Sequence, residues 1–328
     1  MTKMLINSME ELKAILGGIQ KAMYWATWES YVRQAEMKYI IPAIGQELYD
    51  ELTAVTEPTN AQKPLLTRLK NAVAYFAYME ALPFLVTQTG DAGIVMSTPP
   101  NTANISKWMY VVINKEVSAK SDFWLEDSLQ WLENHAALFV TWTASEAYTI
   151  NQGRFISSAT QLTTAFPAAK NSRRLFLEFR QYLFNEEDFL QTVLGSDFFE
   201  SLQTRLTNPA NVFTPKESTV LRLGRKALAH HAFMKALPYL NLNVDYRIVS
   251  ETDGIVNEDE LPDSRLNMIL ADCRKVSGDA VAELTKYLNA NASSLIFPEW
   301  FNSERYRPPV ALPMERFPNT STNPFFVL

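Results

Sequence analysis

The chain carries one pattern written twice. Leu5-Ile6-Asn7-Ser8 followed by Leu12 returns 150 residues later as Phe155-Ile156-Ser157-Ser158 and Leu162. At the same offset, Ala43-Ile44-Gly45 with Tyr49 and Leu52 matches Val193-Leu194-Gly195 with Phe199 and Leu202. Leu65–Leu85 aligns with Val220–Leu240, nine of 21 positions being identical, among them Ala72, Ala74, Ala77 and Pro83 with Ala227, Ala229, Ala232 and Pro238. Gly93-Ile94-Val95 returns as Gly254-Ile255-Val256. Phe139, Trp142, Ser145, Glu146 and Tyr148 return at the same spacing as Phe297, Trp300, Ser303, Glu304 and Tyr306. Five matches in one order, with offsets drifting only from 150 to 161, predict two copies of one structural unit.

The unit reads as mainly α-helical. Ser8 with Glu11, and Ser158 with Gln161, have capping-box spacing and open a short helix in each copy. Trp25, Trp28, Tyr31, Val32, Ala35 and Tyr39 form a helical stripe over 22–41 that Pro42 is expected to interrupt. The alanine-rich stretches 65–82 and 220–237 are helices of close approach, ended or kinked at Pro83 and Pro238. Alternation through Leu242, Val244, Tyr246 and Ile248, then a turn at Asp253-Gly254, predicts a strand and a hairpin; the counterpart around Thr89–Val95 is shorter. Helices are expected next over 104–118 and 122–138, and over 263–276 and 279–290. The fold class is therefore a tandem duplication of a helical-bundle unit with a small β-hairpin inserted in each copy. Residues 1–150 hold the first unit with its hairpin near 86–98, and residues 151–306 the second with its hairpin near 241–257. Residues 307–328 form an extended arm.

Composition narrows the function classes. The 328 residues include only 10 glycines, where average usage gives roughly 23. Neither G-x-G-x-x-G nor G-x-x-x-x-G-K-[ST] occurs, so phosphate-cradling loops are not expected. A net charge of −6 and no Lys/Arg run longer than two residues argue against wrapping nucleic acid directly. The single Cys273 allows no internal disulfide and suits a reducing compartment. No apolar run approaches the ~18 residues of a membrane span.

Chemistry-bearing residues are few. His230 and His231 are adjacent and so point about 100° apart on a helix, which is unsuited to a shared metal. Cys273 has no histidine nearby to activate it. Glu146 and Glu304 could be read as paired carboxylates, but one copy in each unit fits an architectural role better. Trp142, Glu146, Tyr148, Trp300, Glu304 and Tyr306 are therefore read as anchors of the two units. No catalytic, metal or cofactor residue is expected. The last 22 residues hold five prolines and no glycine, which favours stiff extended backbone. They end in Pro324-Phe325-Phe326-Val327-Leu328, an apolar tip read as a partner-binding segment or an intramolecular strap.

The run Tyr39-Ile40-Ile41-Pro42-Ala43-Ile44-Gly45-x-x-Leu48-Tyr49, the alanine-rich helix ending Glu80-Ala81-Leu82-Pro83 and the following hairpin carry a resemblance. They resemble head-morphogenesis proteins of Bacteroidetes phages and prophages and, more distantly, head–tail connector (adaptor) proteins of tailed phages. Connector units of that kind are generally shorter and single, so a fused pair departs from the pattern. The resemblance implies a non-enzymatic virion protein assembled in the host cytoplasm. It implies a homo-oligomeric ring between portal and tail proteins, with DNA passing through its lumen without sequence-specific binding and no membrane contact. The alternatives from the residues alone are a cytoplasmic pseudo-twofold adaptor for one protein partner or, more weakly, an enzyme with a site between the copies.

Overall fold

The computed structural model describes residues 3–17, 23–85, 87–90, 93–96, 106–208, 211–240 and 263–309. The chain is mainly α-helical. Its first half runs α1 (Met9–Leu16), α2 (Trp25–Ala35), α3 (Ile41–Ile44), α4 (Gln46–Ala54) and α5 (Gln62–Leu85). Strands β1 (Thr87–Gly90) and β2 (Gly93–Met96) then pair antiparallel, Thr87 opposite Met96 and Gly90 opposite Gly93. Helix α6 (Lys107–Asn134) and the short α7 (Val140–Thr143) and α8 (Glu146–Thr149) complete the half. The second half runs α9 (Ala159–Ala165), α10 (Arg173–Asn185), α11 (Glu187–Leu194), α12 (Ser196–Thr207), α13 (Pro215–Ala236), α14 (Asp263–Asn291) and α15 (Pro298–Phe301). The hairpin expected near 241–257 lies outside the described residues.

Each half has its own core, and the two cores use matched positions. One gathers Ile6, Leu12, Trp28, Ile44, Leu48, Val73, Leu132 and Trp142; the other gathers Ile156, Leu162, Phe179, Leu194, Phe198, Leu228, Leu288 and Trp300. The centre of each is a long antiparallel pair, α5 on α6 and α13 on α14. Alanines at 72, 74, 77 and 81, and at 227, 229, 232 and 236, are fully buried there, so small side chains allow the helices to approach. The two helices expected over 104–118 and 122–138 are one 28-residue helix, and those over 263–276 and 279–290 are one of 29 residues. The serines and glycine that read as breaks are absorbed. Ser121 Oγ donates to the Ser118 carbonyl, Ser277 Oγ donates across to the Ala227 carbonyl of α13, and a Cβ at Gly278 would meet nothing.

The N-terminal caps form in both halves with one change. Ser8 Oγ accepts from Glu11 N, and Ser158 Oγ from Gln161 N, as expected. The reciprocal bonds come from one residue earlier than a capping box requires, with Asn7 N donating to Glu11 and Ser157 N to Gln161. Gly45 and Gly195 adopt nearly the same positive-φ backbone, φ 82° in each. A side chain there would be strained; it would collide with Ser145 Cβ at 2.8 Å in one half and press on Arg305 Nη1 at 3.1 Å in the other.

Pro42 does not stop its helix. The chain passes from α2 through a π-helical turn, Glu36–Ile40, directly into α3, where Pro42 is the second residue. Glu36 stands nine residues before Gly45, whereas its counterpart Glu187 stands eight before Gly195. A π turn accommodates one extra residue in a helix, so it is the place where the first half holds its surplus residue. The second half instead breaks the helix at Glu186. Pro83 lies inside α5, two residues from its end, and Pro238 in a 3₁₀ turn just after α13.

Candidate functional site at the seam between the halves

The anchor residues sit where their halves close. Trp142 and Trp300 are buried, Tyr148 packs on Trp142 with ring centroids 4.6 Å apart, and Tyr306 packs on Phe301 at 4.9 Å. Ser145 caps α8 by accepting from Tyr148 N, and Ser303 Oγ accepts from Arg305 N. Glu146 and Glu304 are exposed, each at its own corner, and they do not form a carboxylate pair. Pro324, Phe325, Phe326, Val327 and Leu328 lie outside the described residues. The arm's first residues are tethered, with Arg307 N donating to Asn289 Oδ1 at 3.0 Å.

Two buried carboxylates that the repeat did not reveal hold the N-terminal segments of the halves. Glu36 accepts from Leu5 N at 2.8 Å and from Tyr49 Oη at 2.6 Å. Glu187 accepts from Phe155 N at 2.9 Å and from Arg154 Nη1 at 2.7 Å. Burial raises both carboxyl pKa values. The residue pairs trade chemistry: Met4 and Tyr49 in the first half stand where Arg154 and Phe199 stand in the second. One carboxylate meets a hydroxyl, the other a guanidinium.

The seam is polar and belongs to neither core. One face of α6 presents Asp122, Glu126, Gln130 and Glu133 at three- and four-residue spacing to the starts of α9 and α10. Ser172 Oγ donates to Asp122 at 3.0 Å, and Arg174 reaches the same carboxylate through Nε and Nη2. Thr160 donates to Glu126 from both N and Oγ1, and Gln130 Nε2 donates to Thr160 Oγ1. Arg173 is almost wholly buried, with Nη1 3.9 Å from Glu126, and burial lowers its pKa. A cleft of about 290 Å³ opens beside it, lined among others by Glu133, Trp142, Tyr148, Asn151 and Arg173. Trp142 Nε1, Asn151 Oδ1 and Arg173 Nε, buried and without partners, belong to residues lining this cleft. The Glu133 carboxyl is raised to about 7 by the surrounding protein and then by Glu126. Its side chain is still exposed at the mouth, so solvent screens part of that push.

The remaining sequence candidates are packing residues. His230 Nδ1 lies 2.8 Å from the Lys226 carbonyl and its ring meets Phe166 edge-on. His231 stacks on Phe189 at 3.8 Å and its Nε2 lies 3.0 Å from Glu186. Cys273 is buried in the second core, where burial pushes its thiol up to about 11. Among the described residues, no group of three or more His, Cys, Asp and Glu side chains is placed to hold a metal, and no helix is long and apolar enough to cross a membrane.

Beyond the seam, α6 exposes an apolar strip flanked by Lys115, Glu116 and Lys120. At about 100° per residue, Trp108, Val112, Ala119 and Phe123 fall within a 60° sector, on the face that carries the seam residues further down. Trp108 is 65% exposed and Phe123 54%, with Met109 and Val112 beside them. Aligning α6 with α14 on Val117 and Cys273, Ser121 and Ser277, and Leu132 and Leu288 places Ser264, Arg265, Met268, Lys275 and Asp279 at the positions of Trp108, Met109, Val112, Ala119 and Phe123. Four of these five positions are polar or charged in the second half, and Met268 alone keeps its place apolar and exposed.

Residues 40–152 and, separately, 190–310 match one family, described as a family of unknown function (DUF6712). No curated protein and no solved structure matches the chain.

Proposed function

The chain belongs to this family, DUF6712, and from its two matched segments and its surfaces we propose that it is a tandem duplication serving as a structural virion protein, a subunit of a head–tail connector ring between portal and tail. The observation that carries the assembly part is the open apolar face of α6, where Trp108, Met109, Val112 and Phe123 stand in solvent on a helix whose lower part is packed. Exposed apolar surface of that kind favours association. The connector part comes from the resemblance of 39–49, the alanine-rich helix and the following segment to phage head-morphogenesis proteins. A net charge of −6 agrees with a lumen that repels DNA.

Negative-stain imaging and light scattering of the purified protein, alone and with the portal ring of the same phage, test the reading. The expected result is a ring that co-migrates with the portal. A chain that neither forms rings nor binds the portal overturns it. The second reading, an adaptor for a single protein partner, uses the same α6 face and expects a monomer that binds one partner in equal stoichiometry.

A further inference from the structure

The seam inside the chain has two sides, and each side has a counterpart on the opposite half that is left open. On the second half, the starts of α9 and α10 form the groove into which the acidic face of α6 is seated. The matching place on the first half, between the starts of α1 and α2, is a groove of about 530 Å³ lined by Asn7, Glu10, Lys13, Met23, Tyr24 and Trp25 among others. Tyr24 there is 77% exposed. The matching face of α14 carries Gly278, Ala282 and Lys286 at the positions of Asp122, Glu126 and Gln130, and all three are exposed.

The two open sides have changed together. Across the inner seam Gln130 meets Thr160; the corresponding residues are Lys286 and Glu10, of opposite charge. Asp122 and Glu126 become Gly278 and Ala282, while Arg174 and Leu175 become Met23 and Tyr24, by the register that superposes Trp28 on Phe179 and Glu36 on Glu187. The counterpart of Arg173, at 22, lies outside the described residues. Acids facing arginines are thus replaced by small residues facing larger apolar ones. A Cβ at Gly278 would meet nothing within 4 Å, which leaves room for a neighbour's side chain.

We infer that the open groove of one copy receives α14 of a second copy, so that the inner seam is repeated between chains with Lys286 against Glu10 and Gly278-Ala282 under Met23 and Tyr24. Such a contact is head-to-tail, joining two different patches, which is the kind that closes into a ring by rotation. It rests on the assembly reading above only in taking copies of this chain to meet each other.

Charge reversal in the full chain tests it, read by mass photometry over a range of concentrations. Glu10→Lys alone and Lys286→Glu alone are each expected to lower the assembled fraction at least tenfold, and the double variant to restore it. Gly278→Trp should abolish assembly with an unchanged thermal transition. Single reversals that leave assembly intact, or a double variant that does not recover, overturn the contact. A chain carrying Glu10→Cys with Lys286→Cys, oxidised at high concentration, should give a ladder of covalent dimers and higher species, because the buried native thiol does not compete. Intrachain linkage only, or none, overturns the proposal even where the wild-type chain is monomeric in dilute solution. A ladder without portal binding refutes the connector reading and leaves the contact standing; portal binding without a ladder does the reverse.

Discussion

The two halves perform the same structural tasks with different side chains. Both hold their entry segment by a carboxylate buried under a helix, but Glu36 does so with a tyrosine hydroxyl and Glu187 with Arg154. Both turn at a glycine with φ 82°, yet one glycine is pressed by a serine and the other by an arginine. Geometry has been kept where the backbone needs it, and side-chain chemistry has been exchanged in compensating pairs. Burial raises the pKa of both carboxyls, and each half meets that cost with a different donor, a tyrosine hydroxyl in one and a guanidinium in the other.

Paired substitutions probe that equivalence. The largest effect is expected at the repeated tryptophan. Trp142→Ala and Trp300→Ala each remove a buried indole and should cost about 3–5 kcal/mol in urea unfolding. Trp300→Ala should be the worse of the two by about 1 kcal/mol, because its Nε1 donates to Asn289 while Trp142 Nε1 has no partner. Equal losses would mean that this bond contributes nothing.

The carboxylates should separate the halves more sharply. Glu187→Gln strands the Arg154 charge and should cost about 2 kcal/mol, reduced from the fully buried case by the partial exposure of Arg154. Glu36→Gln keeps an acceptor for Leu5 N and offers its Nε2 as a donor to Tyr49 Oη, whose hydroxyl can turn to accept, and should cost less than about 1 kcal/mol. The reverse order would show that the hydroxyl-bound carboxylate matters more to folding than the guanidinium-bound one.

The pH dependence follows from the sign of the shifts. Glu36, Glu133 and Glu187 have folded pKa values raised above 4.5, so the folded chain keeps protons that the unfolded chain has released. Their contribution makes stability fall as pH rises above 4.5, and for Glu133 the fall extends through about 7. Glu133→Gln should flatten part of that slope in a series of melting temperatures and raise stability at pH 8. The smallest effect on folding is expected at Phe123→Ser, within about 0.5 kcal/mol because the side chain is exposed. The same change should reduce self-association.

What could be read in advance was what repetition preserves. The caps at Ser8 and Ser158, the glycine corners and the buried Trp142 and Trp300 were legible because both halves need them in the same place. Glu36 and Glu187 escaped because the extra residue in the first half shifts them to an offset of 151. The seam escaped for a deeper reason. Asp122 and Glu126 face Arg173 and Arg174, so one half supplies acids and the other bases, and neither set recurs in its own counterpart. Local propensity breaks the long helices at 119–121 and 277–278 because it does not report that a neighbouring helix holds those turns together.

The π turn at Glu36–Ile40 behaves as a phase corrector. One added residue advances an α-helix by about 1.5 Å and turns it by about 100°, enough to take Trp28 out of its core or Ile44 away from its corner. By widening a single turn, the chain confines that slip to five residues, and the segments on either side stay in step with their counterparts. Deleting Met37, which is exposed, should therefore return the segment to ordinary α-helical pitch with the flanking residues undisturbed. The first half can gain or lose one residue there without the error reaching its neighbours.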